Sequence, residues 1–172
     1  MTAAERRVEI KKTLAAATAP ISASVLAAKF SVSRQVIVGD IALLRTAGEE
    51  ISATPRGYVV QRAESGIIHQ IVCLHNDVGM IDELNTIVDH GCKVLDVIVE
   101  HTVYGALSGE LNISTRYDVG IFHEKIRQAS AQPLSVLTGG VHIHTLSCPD
   151  EESFERAARA LKEKGILIEA MN

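Results

Sequence analysis

Two histidines separated by a single residue, His142 and His144, form the most distinctive chemical pattern in the sequence. Successive side chains of a β-strand point to opposite faces, so this spacing places both imidazoles on one face, about 6–7 Å apart along the strand. Imidazole nitrogens are suitable ligands for Zn, Ni, Co, Fe and Cu. The pair therefore predicts two ligands of one transition-metal ion.

Further ligands for such an ion are available where an earlier strand meets a helix. Residues 66–75 form an apolar strand pattern, and His75 stands at its end. The following helix carries adjacent carboxylates, Asp82 and Glu83, and about two turns separate them from the strand. Either carboxylate could fold back towards His75, and the residue types alone leave that choice open.

The three cysteines are not expected to bind the metal. Cys73, Cys92 and Cys148 are odd in number, and none is paired with another at a metal-binding spacing. Their pattern predicts free thiols in a reducing cytosol, with Cys73 and Cys148 packed as small apolar side chains.

The elements that must position these residues predict an α+β sheet domain. From residue 66 onwards, the strand and helix signals follow the order β-α-β-β-α-β-β-α-β, with helices on one face of the sheet. Asn76 or Asp77 is expected to cap the first helix, and Pro149 to open the last one. Strands are expected over residues 134–138 and 141–146.

Charge divides the 172 residues into two parts. Residues 1–62 carry nine basic and five acidic side chains, whereas the remaining residues carry eight basic and sixteen acidic ones. The basic part is expected to meet an anionic partner. The sequence therefore predicts two domains, over residues 1–62 and 66–172. No apolar run reaches the length of a membrane span, and residues 1–12 do not resemble a signal peptide, so a cytoplasmic protein without membrane contact is expected.

The basic part predicts a helix-turn-helix followed by a wing. A helix over residues 5–17 precedes a short helix capped by Ser22 and a longer helix over residues 34–47 capped by Ser33. In such a pair, the second helix enters the major groove of DNA. Residues 51–60 read I-S-A-T-P-R-G-Y-V-V, which indicates two short strands around a turn.

Four residues are expected to contact DNA. The start of the longer helix presents Ser33, Arg34 and Gln35, of which arginine suits guanine and glutamine suits adenine. Arg56, at the tip of the wing, can reach a phosphate or the minor groove. Gly39 lies inside the same helix, where it costs roughly 1 kcal/mol relative to alanine, and it either permits close packing or loosens the helix. A protein-interaction module is the alternative for this domain.

Residues 5–60 resemble the winged helix-turn-helix domain of the biotin operon repressor type. The resemblance is carried by I-S-A-S-V-L-A-A-K-F-S-V-S-R-Q over residues 21–35, D-I-A-L-L-R over residues 40–45, and then Gly48, Gly57 and Tyr58. It implies binding to double-stranded operator DNA. Helix-turn-helix proteins commonly bind palindromic sites as dimers, so a homodimer is expected.

Residues 66–172 resemble the three-histidine (3H) domain, which follows a winged helix in the niacin-responsive repressors of NAD biosynthesis. The matching segments are H-N-D over residues 75–77, E-H-T-V-Y-G over residues 100–105 and G-G-V-H-I-H-T over residues 139–145. The resemblance implies a Ni, Zn, Fe or Co site, and it selects Glu83 rather than Asp82. The implied ligands are His75, Glu83, His142 and His144.

The same resemblance implies nicotinic acid as the effector. Its pyridine nitrogen can occupy an open metal position, and its carboxylate requires a cation or backbone N–H groups. Arg116, at the start of a helix, is the candidate for the carboxylate, while His101 and Tyr104 are candidates to line the ring.

Together with these features, the resemblance implies a ligand-responsive repressor of genes for NAD biosynthesis or for niacin salvage or uptake, with nicotinic acid as corepressor, and not an enzyme. One alternative is a metalloenzyme that hydrolyses its substrate with metal-activated water and carries a DNA-binding appendage. Another is an interaction module with a structural metal.

Overall fold

The computed structural model describes residues 1–60 and 66–171. Its contacts divide the chain into two compact units, Met1–Glu64 and Ser65–Asn172, each with its own apolar core. The boundary expected between residues 62 and 66 falls within residues 61–65, which lie outside the described residues.

The N-terminal unit contains three helices and a hairpin. Helices α1 (Ala3–Ala16), α2 (Ala23–Phe30) and α3 (Arg34–Thr46) precede the antiparallel strands β1 (Ile51–Thr54) and β2 (Gly57–Val60). The expected caps of α2 and α3 are confirmed, since the side chains of Ser22 and Ser33 accept hydrogen bonds from the backbone N–H groups of Val25 and Val36. The predicted helix-turn-helix and wing are both present.

The core of this unit is built from the inner faces of all three helices. Ile10, Leu26, Ile37 and Ile41 are buried in it. Neighbouring residues of α2 differ in burial, since Val25 is 58% exposed whereas Leu26 is fully buried and supplies the inner face of this short helix.

The wing is attached to the chain segment before α2. Ile21 and Tyr58 exchange two backbone hydrogen bonds of 2.9 Å, so β2 pairs with Ile21 as well as with β1. Gly57 has φ of +142°, and a Cβ atom placed there would overlap the backbone of Ile21. Only glycine permits this close approach.

The C-terminal unit is a five-stranded antiparallel sheet in the order β5-β4-β6-β3-β7. Its elements are β3 (Ile67–Leu74), α4 (Gly79–Asp89), β4 (Lys93–His101), β5 (Gly105–Ile113), α5 (Arg116–Gln128), a 3-10 helix (Leu134–Thr138), β6 (Val141–Cys148), α6 (Glu151–Glu163) and β7 (Leu167–Met171). Thr115 and Asp118 form a capping box at the start of α5.

Three expected elements differ. Leu134–Thr138 is a 3-10 helix rather than a strand, because Pro133 precedes it and a left-handed Gly139 ends it, while β4 already has β5 and β6 as neighbours. Helix α4 begins at Gly79 without a side-chain cap, since Asn76 instead closes a turn by accepting from the Gly79 N–H. Asp150 caps α6, so Pro149 lies just outside that helix.

The expectation of free thiols is wrong for two cysteines. Cys92 and Cys148 form a disulfide, whereas Cys73 is free and buried. The sheet register explains the bond, because Lys93 of β4 lies opposite Ser147 of β6. The residues just outside this pair, Cys92 and Cys148, therefore meet with their Cα atoms 4.3 Å apart.

In the part of the chain that the structure describes, no helix is both long and apolar enough to cross a bilayer.

We expect Gly57→Ala to destabilise the N-terminal unit by about 3 kcal/mol, because the new Cβ adds a clash with Ile21 to the cost of the left-handed backbone. Gly48→Ala is the matched control. Gly48 also has a positive φ, but a Cβ there meets no atom within 4 Å, so only the conformational cost of about 1–2 kcal/mol applies. Equal losses in chemical unfolding of the two variants would contradict this account.

Candidate functional site

The predicted metal ligands converge on the inner face of the sheet, beneath α4. In the antiparallel register of β3 and β6, Cys73 lies opposite His142 and Ile71 lies opposite His144. Both histidines therefore share the buried face, where their side chains are 2% and 4% exposed. Glu83, one turn into α4, points towards this face and is fully buried.

The carboxylate of Glu83 is the common neighbour of three imidazoles. Its Oε2 atom lies 2.5 Å from Nε2 of His75, 3.1 Å from Nε2 of His142 and 3.6 Å from Nε2 of His144. The structure thus brings together the four residues that the sequence singled out. Asp82, the other carboxylate left open by the residue types, pairs instead with Lys164 on the surface.

Two glycines make room for His75. A Cβ on Gly79 would lie 2.6 Å from Cβ of His75, and a Cβ on Gly140 would overlap the His75 carbonyl oxygen. The start of α4 and the start of β6 can therefore both press against this residue. The sequence does not reveal this role, because it depends on the packing of two distant segments.

Backbone carbonyls fix the orientation of all three rings. The Nδ1 atoms of His75, His142 and His144 lie 2.5, 2.8 and 2.6 Å from the carbonyl oxygens of Asn76, Gly140 and Asp96. A carbonyl oxygen can only accept, so each Nδ1 carries the hydrogen and donates it. In the neutral ring, Nε2 then presents its lone pair to Glu83. Lone pairs facing a carboxylate are stabilised by protonation of the rings or by a shared cation, and the shared cation is the arrangement used by metal-binding histidines.

The pKa shifts within the cluster also indicate that Glu83 requires positive charge beside it. Burial by itself raises the pKa of Glu83, but the three imidazoles outweigh it and hold that pKa well below the usual value. Burial likewise lowers the pKa of His75 and His144, yet the hydrogen bond and charge of Glu83 raise both pKa values above normal. The site therefore keeps an ionised carboxylate that requires positive charge beside it.

Cys73 adds a thiol to the edge of this cluster. Ligand atoms of Cys73, Glu83 and His142 all lie within 4.8 Å of one another. Sequence reasoning set this cysteine aside because it has no cysteine partner, although its position two residues before His75 on the same strand face was a usable signal. Burial, together with the charge of Glu83, raises the pKa of the thiol, so it stays protonated and is a weaker ligand candidate than the imidazoles.

A cavity of about 240 Å³ opens directly onto the cluster. His75, Glu83, His142 and His144 form its polar end, and apolar side chains such as Val97, Leu111 and Phe122 line much of the rest. Gln132 and Ser135 add an amide and a hydroxyl to the wall. This volume lies just below the range of about 300–1,000 Å³ typical of drug-sized ligands, so the cavity suits a molecule with a single ring.

The three residues expected to contact the effector do not line this cavity. Arg116 pairs with Asp89 at 2.5 Å on the surface, because the start of α5 lies beside the end of α4. Tyr104 is 74% exposed in the turn between β4 and β5. His101 packs against that ring, and its Nδ1 atom accepts hydrogen bonds from two backbone N–H groups of the same turn. Because His101 and Tyr104 lie at the exposed end of the hairpin formed by β4 and β5, they stabilise the turn and do not reach the cavity.

The four residues expected to contact DNA lie on the outer surface of the N-terminal unit. Ser33 caps α3, and Arg34 and Gln35 follow in its first turn, all three exposed. Arg56 is exposed in the turn of the hairpin, where Thr54 holds the backbone by accepting from the Arg56 and Gly57 N–H groups. This is the arrangement of a recognition helix and a wing.

Comparison with known proteins identifies both modules. Residues 6–59 match the HTH domain, and residues 68–170 match the 3H domain. The chain therefore belongs to the 3H-domain family of helix-turn-helix transcription repressors, which confirms the predicted resemblance and the α+β class.

Two relatives span almost the whole chain. The probable transcription repressor NiaR of Thermotoga maritima is 45% identical over 165 residues, which cover 96% of this chain and 94% of that protein. The transcription repressor NadR of Bacillus subtilis is 44% identical over 169 residues, with the same shares. Since these relatives are transcription repressors and not enzymes, the expectation that this protein is not an enzyme is confirmed.

We expect the metal-free protein to bind one divalent transition-metal ion per chain in a calorimetric titration with Ni²⁺ or Zn²⁺. Loss of a group that only hydrogen-bonds to a ligand typically weakens metal binding 10–100-fold, so loss of a ligand itself in Glu83→Gln or His142→Ala should weaken it by about 100-fold or more. His123→Ala, on α5 and away from the cluster, is the matched control and should bind as the wild type does. Unchanged affinity in Glu83→Gln, with circular dichroism showing a folded protein, would contradict the assignment.

Proposed function

We propose that this protein is a metal-dependent repressor of genes for NAD biosynthesis or for niacin salvage or uptake, and that nicotinic acid is its corepressor. It would act in the cytoplasm, on operator DNA, as a homodimer. The observation that carries the proposal is the group of three Nε2 atoms around one buried carboxylate, at the end of a small apolar cavity, in a chain that also has a helix-turn-helix.

The donor set fits a divalent transition metal. His75, His142, His144 and Glu83 supply three imidazoles and one carboxylate, a combination suited to Ni, Zn, Fe or Co. Such an ion would supply Lewis acidity and an open coordination position towards the cavity. Together with one carboxylate and three neutral imidazoles, it leaves a net positive charge, which favours an anionic ligand in the cavity.

The single ring of nicotinic acid matches the size of the cavity, whose lining also includes Glu110. This aromatic ring suits the apolar wall formed by residues such as Val97 and Phe122, and the pyridine nitrogen suits the polar end. In the described residues, no lysine or arginine lines the cavity, so Arg116 is replaced as the candidate for the carboxylate. The amide of Gln132 and the hydroxyl of Ser135 are the donors available there.

DNA binding is assigned to α3 and the wing. Ser33, Arg34 and Gln35 are positioned to contact base edges and phosphates, and Arg56 to contact phosphate or the minor groove. The excess of acidic over basic side chains after residue 62 disfavours contact between the C-terminal unit and DNA phosphates. Effector binding and DNA binding therefore belong to different units of one chain.

The outer face of the sheet supports dimerisation through the C-terminal unit. In β6 the two histidines point inwards, so Val141 and Ile143 point outwards, and Ile143 pairs with Val72 and Ile98 on the neighbouring strands. An antiparallel sheet with one solvated face normally has polar residues there. The apolar side chains on this face are Ile68, Val72 and Leu74 of β3, Val141 and Ile143 of β6, and Ile98 of β4. A second copy of this chain would cover this face symmetrically.

We expect nicotinic acid to tighten DNA binding at least fivefold, in the range of ordinary allosteric coupling. The probe is a duplex that the metal-loaded protein selects from a random-sequence pool, and the measurement is fluorescence anisotropy. The effect should vanish in His142→Ala and persist in Arg116→Ala. Nicotinamide, which lacks the carboxylate, serves as the matched ligand control. Identical affinity with and without nicotinic acid would refute the corepressor role.

We expect Ile68→Glu, on the outer face of β3, to convert the dimer into a monomer in light scattering, because it buries a charge in an apolar interface. Ile68 is 54% exposed. Val103→Glu, at a 77% exposed position in the turn between β4 and β5, should leave the dimer intact. A dimer that persists in Ile68→Glu would exclude this face as the interface.

A further inference from the structure

Helix α3 contains a glycine for which the fold gives no reason. Gly39 lies in the middle of the helix and is exposed, and a Cβ atom built on it meets no atom within 4 Å. Of the two explanations left open by the sequence, close packing within the chain is therefore wrong. Glycine is also the poorest helix former after proline, so stability alone would favour almost any other residue at this position.

The position of Gly39 on the helix is informative. Gln35, Val38, Gly39 and Ala42 follow the spacing of one helix face, and all four are exposed. The opposite face carries the buried residues of the core, Ile37, Ile41 and Leu44. Gly39 thus lies on the same outward face as Gln35, one of the residues positioned to contact bases.

The orientation of this face is fixed by the rest of the unit. Asp40, the next residue, is only 4% exposed, and its carboxylate lies 2.6 Å from Nε of Arg6 and 3.4 Å from Nη1 of Arg7 on α1. Breaking a buried ion pair is costly, so α3 cannot rotate freely about its axis. Gly39 is therefore held facing outwards.

We propose that Gly39 is a contact residue of the DNA interface, where the missing side chain lets the backbone of α3 lie against the edge of the major groove. Glycine is the residue that permits such a close approach of a backbone to a ligand. Val38 and Ala42, on either side, offer small apolar surfaces of the kind that contact thymine methyl groups. The inference rests on the proposed DNA-binding function of α3.

The test compares side chains of increasing size at position 39. Gly39→Ala should weaken binding to the duplex selected by the wild-type protein roughly tenfold, which corresponds to about 1.4 kcal/mol, and Gly39→Gln should weaken it further. Both substitutions introduce better helix formers, so both should raise the Tm by about 2–4 °C. A gain in stability together with a loss of DNA affinity distinguishes a contact residue from a merely structural one.

Gly120→Ala is the matched control. Gly120 is an exposed glycine inside α5, and a Cβ there also meets no atom within 4 Å. This variant should gain stability and keep the wild-type affinity for the duplex. If the wild type binds its duplex and Gly39→Ala binds it equally well or more tightly, this inference is overturned but the proposed function is not. Failure of the wild type to select any duplex would overturn the proposed function and this inference with it.

Discussion

The C-terminal unit depends on one buried negative charge. Glu83 is fully enclosed, and an ionised carboxylate in such a place is tolerated only when positive charge or strong donors surround it. Three imidazoles from two strand ends and a strand interior meet that requirement when they are protonated or when their Nε2 atoms share a cation. Each Nδ1 donates its hydrogen to a backbone carbonyl oxygen. A ring can therefore donate a second hydrogen bond, from Nε2 to Glu83, only when it is protonated and charged. Through these contacts Glu83 connects α4 to β3 and β6.

The same constraint shapes both faces of the sheet. Because His142 and His144 point inwards, Val141 and Ile143 point outwards at this end of β6. The inner face gains a polar end for the cavity, and the outer face gains an apolar surface suited to a symmetric partner. The proposed effector site and the proposed dimer interface would in this way both depend on one alternation in β6.

The local elements were largely predictable, and the exceptions have common causes. Caps such as Ser22, Ser33 and Thr115 act within a few residues, so their effect is visible in the sequence. The 3-10 helix Leu134–Thr138 differs from the predicted strand because its apolar residues fit either element, and only the tertiary structure shows that they pack against β4 and β6. The Cys92–Cys148 disulfide was missed because it depends on the register between strands far apart in sequence.

By itself, the sequence determined the residue types and their local spacing, which were sufficient to indicate a winged helix-turn-helix, an α+β domain and a set of four candidate ligands. Tertiary structure decided which groups meet. It brought Glu83 into contact with three histidines and placed Asp82 and Arg116 in surface ion pairs. It also left Gly39 exposed without a packing partner. Hydrogen-bonded turns and alternation act between near neighbours in the chain, whereas convergence at a site depends on the folding of distant segments against one another.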